Sequence, residues 1–503
     1  MKTCLTESTK ISRRSFLQAL GALTLSSSLA ACGGTGKAKS DRLAAGSLAY
    51  TPDEVVTVEF SDGGITVSPE DAAGLAVEET ALSVSGAGVY ALSGRCADGS
   101  VKVEAQTEDV VLLLDGLTLT SADTAPIVCG ESTGVTIAVV DGTENTLADS
   151  EANDPDNAAD NENAEKAVVK CKDGAQVVLC GGGALTVNAL GKNGIKSGTA
   201  LDDRDASLTI RELTLNIEAL VNDAINAEQR LKVESGKLTI TAGEDAIHCD
   251  MELNIGAEGT TGPAITVSTC CEGLEGAVLN IHSGNMDITS TDDCLNAANS
   301  DLGDYAFEIN ISGGTIKAYS SEGDGFDSNG TLTITGGDIS VWTASTADNQ
   351  PLDADGRITI SGGTVLAAGG SAGMGFSISA SQPCVTFGGG RDSSLSLAGG
   401  EAFSIADESG KSVLDSTALC DAAFLFYSSP ALTAEGRYSV QSTVTATAKT
   451  GETDTQFGGN GGPGGSGGQR PDGMTPPDGQ MPQGQPPQSD GTTPPELPAA
   501  SSN

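Results

Sequence analysis

Between residues 220 and 360 the chain returns six times to one short phrase: an acidic or amide residue, a small residue, an apolar one, then another polar side chain. It reads Asp223-Ala-Ile-Asn226, Asp245-Ala-Ile-His248, Glu272-Gly-Leu-Glu275, Asp293-Cys-Leu-Asn296, Asp324-Gly-Phe-Asp327 and Gln350-Pro-Leu-Asp353. A unit of 21 to 31 residues is too small to bury its own apolar face. Units of that size must stack on one another, which restricts the chain to repeat architectures. Aligned on the apolar residue, the series extends upstream as Ile127, Val169, Ile195, Ile225, Ile247, Leu274, Leu295, Phe326 and Leu352. The long first interval holds the polar stretch 150–163, which reads as a looped-out insertion.

Between phrases lie alternating segments broken by glycine pairs, as in Thr331-Leu-Thr-Ile-Thr-Gly-Gly-Asp-Ile-Ser-Val341. Apolar residues at every second position specify strands, and the glycines specify sharp turns. Strand, Gly-Gly corner, strand and acidic corner, with no helical period, describe a parallel β-helix. Equivalent residues of neighbouring coils would then sit about 4.8 Å apart. The crossover rule favours a right-handed winding. A propeller or a sandwich built from hairpins fits less well, because the units are shorter than a four-stranded blade. The expected fold is all-β: a right-handed parallel β-helix over residues 51–380, a small β-rich C-terminal cap over 381–450, and a disordered tail over 451–503.

The N-terminus carries Arg13-Arg14 ahead of a short apolar run that ends in Leu29-Ala-Ala-Cys32. This reads as an export signal, residues 1–31, with a lipobox whose cleavage leaves Cys32 as the acylated N-terminus. Residues 32–50 follow as a tether. An exported protein, lipid-anchored to the outer face of a bacterial cell membrane, is the expectation. From residue 456 onward the chain is almost entirely Gly, Pro, Gln, Asp and Ser and cannot bury a core.

The formal net charge is −42. Neutralising phosphates takes Lys and Arg, so nucleic acid is excluded as a partner. Self-repulsion on that scale weakens the compact state unless cations relieve it. A monomer is expected. Cys129 and Cys171 lie at the same place in consecutive units, two residues after the apolar position. They suit either a disulfide or a buried ladder of small residues. The ladder is favoured, since Ser197, Ala227, Gly276, Ala297, Ser328 and Ala354 fill the same slot. Cys384 and Cys420 are a candidate pair beyond the repeats.

Stacked phrases would line up Asp223, Asn226, Asp245, Asp250, Asp292, Asp293, Asn296, Asp324, Asp327, Asn329, Asp353 and Asp355 along one edge. Calcium takes six to eight oxygens of this kind and tolerates irregular geometry. Asp and Asn also serve turns by capping their own backbone, so each residue alone has a structural reading. The row as a whole favours several Ca2+ ions.

The chain also resembles the bacterial calcium-binding β-helix proteins known as carbohydrate-binding domain-containing proteins. The resemblance rests on Gly88-Val-Tyr-Ala-Leu-Ser-Gly94 with Val110-Val-Leu-Leu-Leu-Asp-Gly-Leu-Thr-Leu119, and on Asp141-Gly-Thr-Glu-Asn-Thr-Leu-Ala-Asp149. It rests further on the Asp-Gly-Phe-Asp corners and on Phe424-Leu-Phe-Tyr-Ser-Ser-Pro430. It implies a right-handed β-helix like that of pectate lyases, calcium between coils, and binding of acidic or plant-type polysaccharide without demonstrated cleavage. The corners at Glu272 and Gln350, and Lys196 after Ile195, depart from the pattern.

Two functions compete. A polysaccharide-binding protein would use calcium to bridge sugar carboxylates to its own, with Trp342, Tyr305 and Tyr319 as a stacking surface. A calcium-dependent polysaccharide lyase needs a basic residue beside the metal edge, with Lys192, Lys196, Arg204, Arg230, Lys317 and Arg357 as candidates. The scatter of those residues favours binding, and a structural adhesin is the third reading. No catalytic residue is assigned.

Overall fold

The computed structural model describes residues 43–303, 305–344, 349–370, 377–389 and 395–454. The expected export signal, Cys32, the tether up to residue 42 and the tail from residue 455 lie outside the described residues; residues 451–454, expected in the disordered tail, instead end the strand Lys449–Asp454, which pairs antiparallel with Ser377–Gly388. Among the described residues the secondary structure is strand and short 3-10 turns, with no α-helix.

The alternation in the sequence sets the strands. In Thr331–Ile334 and Ile358–Ile360 every second side chain is buried. Strands then pair in parallel with the equivalent strand of the next unit. Leu295–Ala297 pairs with Phe326–Ser328, Glu308–Ile311 with Thr331–Ile334, and Thr315–Ser320 with Asp338–Thr343. Three parallel rows result, joined in one 34-stranded sheet. Through one row the apolar residues of the phrase pair in series: Ile127 with Val169, then Ile195, Ile225, Ile247, Leu274, Leu295, Phe326 and Leu352. The series continues upstream to Val101 and Leu82, where no acidic phrase marks it. All eleven are buried, and each contributes roughly 1.5–3 kcal/mol relative to exposure.

The glycine pairs have separate tasks. At Gly336 a Cβ would sit 2.2 Å from the Ser312 carbonyl oxygen of the unit below, so stacking leaves no room for one. Gly337 has φ +97°, a conformation that disfavours other residues. The second position of the phrase is small for a related reason. A Cβ on Gly325 would lie 2.4 Å from the Pro351 carbonyl oxygen.

The polar stretch after residue 150 loops out without disturbing the register of Ile127 on Val169. Buried Asn153 clamps its base, donating to Asp149 Oδ2 and the Ala167 carbonyl (both 2.9 Å) and accepting from Glu165 N–H at 2.7 Å. Residues 43–50, assigned to the flexible tether by composition, instead form the hairpin Leu43–Ala45/Leu48–Tyr50. Its apolar side packs with Ala138 and Cys180, and Asp141 and Glu212 accept its turn N–H groups.

At the far end the pairing becomes antiparallel. Phe424–Ser428 pairs with both Thr364–Gly369 and Ser377–Gly388, and a separate four-stranded antiparallel sheet runs from residue 402 to 447. Cys129 and Cys171 face each other in register as buried, unbridged thiols. Cys384 and Cys420 do not pair. Cys384 packs in the main core and Cys420 in the core of the C-terminal sheet.

Candidate cation-binding edge

In four of the six phrases the first carboxylate has a structural task that the sequence hides. Asp223 Oδ1 accepts the N–H of Asp245 at 3.2 Å, and Asp245 Oδ1 that of Glu272 at 3.3 Å. Asp293 Oδ1 accepts the N–H of Asp324 at 2.6 Å, and Asp324 Oδ1 that of Gln350. One oxygen of each acid thus ties its corner to the corner of the next unit. The last residue of the phrase points outward, and its row reads Lys170, Lys196, Asn226, His248, Glu275, Asn296, Asp327. Charge along this row runs from basic to acidic.

Two corners carry cations of the protein's own. Asn226 is fully engaged, accepting from Lys196 Nζ at 2.9 Å and donating to Asp223 Oδ2 at 2.6 Å. His248 Nδ1 lies 2.5 Å from Glu275 Oε2 and 3.3 Å from Asp245 Oδ2, while Nε2 lies 2.8 Å from Asp250 Oδ1. Carboxylates on both ring nitrogens require both to donate, so the ring is an imidazolium. Burial opposes that charge, but the bonds to Asp245, Asp250 and Glu275 outweigh it and hold the pKa well above the usual histidine range.

Further along the row no basic side chain answers the carboxylates among the described residues. Asp324, Asp327 and Asp353 bring one oxygen each within 4.8 Å of one another. Burial first, and then neighbouring acids, push Asp293 up to about 8, Asp324 to about 7 and Asp327 to about 6. Asp353 is raised by burial and by Asp355, and Glu272 reaches about 9 through burial, Glu275 and Asp245. Among the described residues, two buried carbonyl oxygens on this edge, Asn296 Oδ1 and Gln350 Oε1, have no hydrogen-bond donor. Their residues are 8% and 3% exposed, too little for bulk water to serve them. Buried acceptors without a donor, beside carboxylates without a counter-ion, match the oxygen donor set of a hard cation.

The remaining expected ligands lie at the margin. Asp292 is partly buried, and Asn329 and Asp355 are exposed; the N–H groups of these last two bond to the Ala297 and Ser328 carbonyls. Glu275, Glu272, His248 and Gln350 were absent from the expected ligand set. Their position in the phrase, and not their residue type, was the signal.

The aromatic stacking surface is not where the sequence placed it. Trp342 is fully buried, donating to Ser340 Oγ and meeting Phe403 edge-on at 6.1 Å. Tyr319, its partner in register, packs against the same core; Tyr305 alone of the three is exposed. The candidate bases are engaged as well. Lys192 pairs with Asp156, Arg204 with Glu108, Arg230 with Asp205 and Glu252, Lys317 with Asp287, and Arg357 with Glu452.

An all-β chain with stacked strands and an acidic edge has relatives of known description. A family model for carbohydrate-binding domain-containing proteins matches residues 78–373, more than half of the chain. The chain belongs to that family. A protein of Acetivibrio thermocellus described as a carbohydrate-binding domain-containing protein is 29% identical over 184 residues, 36% of this chain and 60% of the relative. The chain therefore covers less than two thirds of that relative's length. Among solved structures, the polysaccharide lyase-like protein from C. thermocellum, as its gadolinium derivative, is similar at a TM-score of 0.30 and 22% identity. That similarity covers 62% of this chain and 93% of the other.

Proposed function

We propose that this is a non-catalytic polysaccharide-binding protein, wound as a right-handed parallel β-helix, that holds Ca2+ along its acidic edge and binds acidic glycan there. The observation that carries the reading is the pair of donorless buried oxygens, Asn296 Oδ1 and Gln350 Oε1, among the carboxylates of Asp293, Asp324, Asp327 and Asp353. Those residues, with Asp292 and Asp355 at the margin, would hold the metal. Bound there, Ca2+ would supply positive charge between protein carboxylates and sugar carboxylates, which a chain of net charge −42 otherwise repels. Asp223, Asn226, Asp245 and Asp250 serve Lys196 and His248 and are assigned to structure. Membership of a carbohydrate-binding family supports the polysaccharide ligand. Among the candidate bases only Lys196 stands on the edge, and it is held by Asn226 and Glu228, so binding is favoured over lyase chemistry. Export and anchoring through Cys32 complete the proposal and place the edge at the cell surface.

The test is a pull-down against immobilised polygalacturonate and neutral glycans, with calcium and with a chelator. Retention on polygalacturonate that disappears on chelation is expected. Retention that ignores the chelator sinks the bridging role, and release of unsaturated uronides sinks the non-catalytic reading.

A further inference from the structure

The basic end of the outward row contains a lysine that the protein leaves unanswered. Lys170 and Lys196 are paired in register on adjacent parallel strands, so their side chains stand side by side. Two carboxylates lie near Lys170, those of Glu165 and Glu228. Each is already taken: Glu165 binds Lys172 at 2.8 Å, and Glu228 binds Lys196 at 2.8 Å. Three lysines against two glutamates leave one positive charge, and among the described residues the Lys170 ammonium has neither an ion pair nor a hydrogen bond. Lys170 is also partly buried. A partly desolvated cation beside a like charge is costly to hold, and an arriving anion removes that cost. The surplus is the more pointed because acids outnumber bases 68 to 26 in the whole chain.

We propose that Lys170, backed by Lys196, forms a carboxylate subsite that receives a sugar carboxylate of the acidic glycan, in line with the cation edge further along the row. This rests on the acidic-glycan reading above and names a residue that sets its specificity. A polymer lying along the row would meet a direct ammonium contact at one end and the carboxylate edge at the other. Burial and the Lys196 charge lower the Lys170 pKa, consistent with a group that lacks its counter-ion.

Calorimetric titration in calcium buffer tests this with four probes: trigalacturonate, its fully methyl-esterified form, monomeric galacturonate and acetate. For trigalacturonate, Lys170→Met should weaken binding about tenfold or more, the usual worth of a charge-assisted contact. Binding of the methyl ester should not change, and Lys170→Arg should recover most of the affinity. The thermal midpoint of Lys170→Met should hold or rise, because a repulsion is removed; Lys170→Gln provides a second neutral variant. Unchanged trigalacturonate affinity in folded Lys170→Met and Lys170→Gln overturns the subsite while leaving the acidic-glycan reading intact. A wild-type protein that binds no uronate at any calcium level overturns that reading itself. Monomer or acetate binding as tightly as the trimer overturns the assignment to a polymer.

Discussion

Glu275 Oε2 lies 2.5 Å from His248 Nδ1, and the two residues face each other in register across adjacent parallel strands. With Asp245 and Asp250 the ring is enclosed by three acids. An imidazolium therefore occupies the part of this corner that a metal ion would otherwise neutralise. Replacing it should leave buried carboxylates facing one another. His248→Gln is expected to destabilise the chelated protein by about 3 kcal/mol, the scale of breaking a buried ion pair. Added calcium should recover part of the loss. Denaturant unfolding with and without calcium checks both; an unchanged midpoint in chelator would show that the imidazolium does not hold the corner.

The raised carboxylates set the sign of a pH dependence. A carboxyl whose pKa is higher folded than unfolded binds its proton more tightly in the native state, so stability falls as pH rises between the two values. The unfolded Asp value is about 3.9. The folded values are about 6 for Asp245 and Asp327, about 7 for Asp324 and about 8 for Asp293. His248 acts in the same direction: its raised pKa stabilises fully below the unfolded value of about 6.5 and progressively less above it. In chelator, the thermal midpoint should fall steadily from pH 5 to pH 8. Saturating calcium should flatten that slope, since the ion replaces the protons. A midpoint that rises with pH in chelator contradicts the assignment.

Displacement of those protons is measurable directly. With its pKa near 8, Asp293 is largely protonated at pH 7 in the absence of a cation, and Asp324, near 7, about half so. Calcium binding should release these protons, so the calorimetric heat should depend on the ionisation enthalpy of the buffer. Release of about one proton per protein is expected, declining at pH 9. No buffer dependence at pH 7 would place the ions elsewhere.

Gln350 separates metal affinity from intrinsic stability. Its Oε1 has no donor, although its backbone N–H is held by Asp324. Gln350→Leu removes a buried orphan acceptor, whose desolvation costs about 1–3 kcal/mol, and that gain offsets the loss of the hydrogen bond its amide gives Asp353. The calcium-free protein should therefore lose little stability or gain some, while calcium affinity should drop several-fold. Equal calcium affinity in the variant would mean that the orphan oxygen is not a ligand.

The all-β class and the register of the phrase were legible because spacing is a property of the sequence itself. Aligning Ile127 through Leu352 on residue type reproduced their pairing in the sheet. The edge was legible only as a row. Choosing ligands by type admitted Asn226, which Lys196 and Asp223 occupy, and passed over Glu275, which stands at the same place in the phrase. Which cation answers which acid depends on register, and register emerges only when units stack. Trp342 shows a different limit. It alternates outward on Asp338–Thr343, yet Phe403 and the C-terminal core cover it, a contact some sixty residues away that no local pattern encodes.

The glycine corners give a last test, because two glycines that both turn the chain between strands should behave differently. Gly410 turns between Ala402–Asp407 and Ser412–Thr417 with φ +85°, and a Cβ there would meet nothing within 4 Å. Gly410→Ala should cost only the backbone strain, about 1 kcal/mol. Gly336 has no positive φ to protect, but its Cβ would strike the Ser312 carbonyl oxygen at 2.2 Å. That oxygen belongs to the unit below, so relief requires the stacked strands to part. Gly336→Ala should therefore cost more, about 2–3 kcal/mol, as overpacking does. Equal losses in denaturant unfolding would mean that these corners are dictated by local conformation; a larger loss at Gly336 would show that they are dictated by the stacking of one unit on the next.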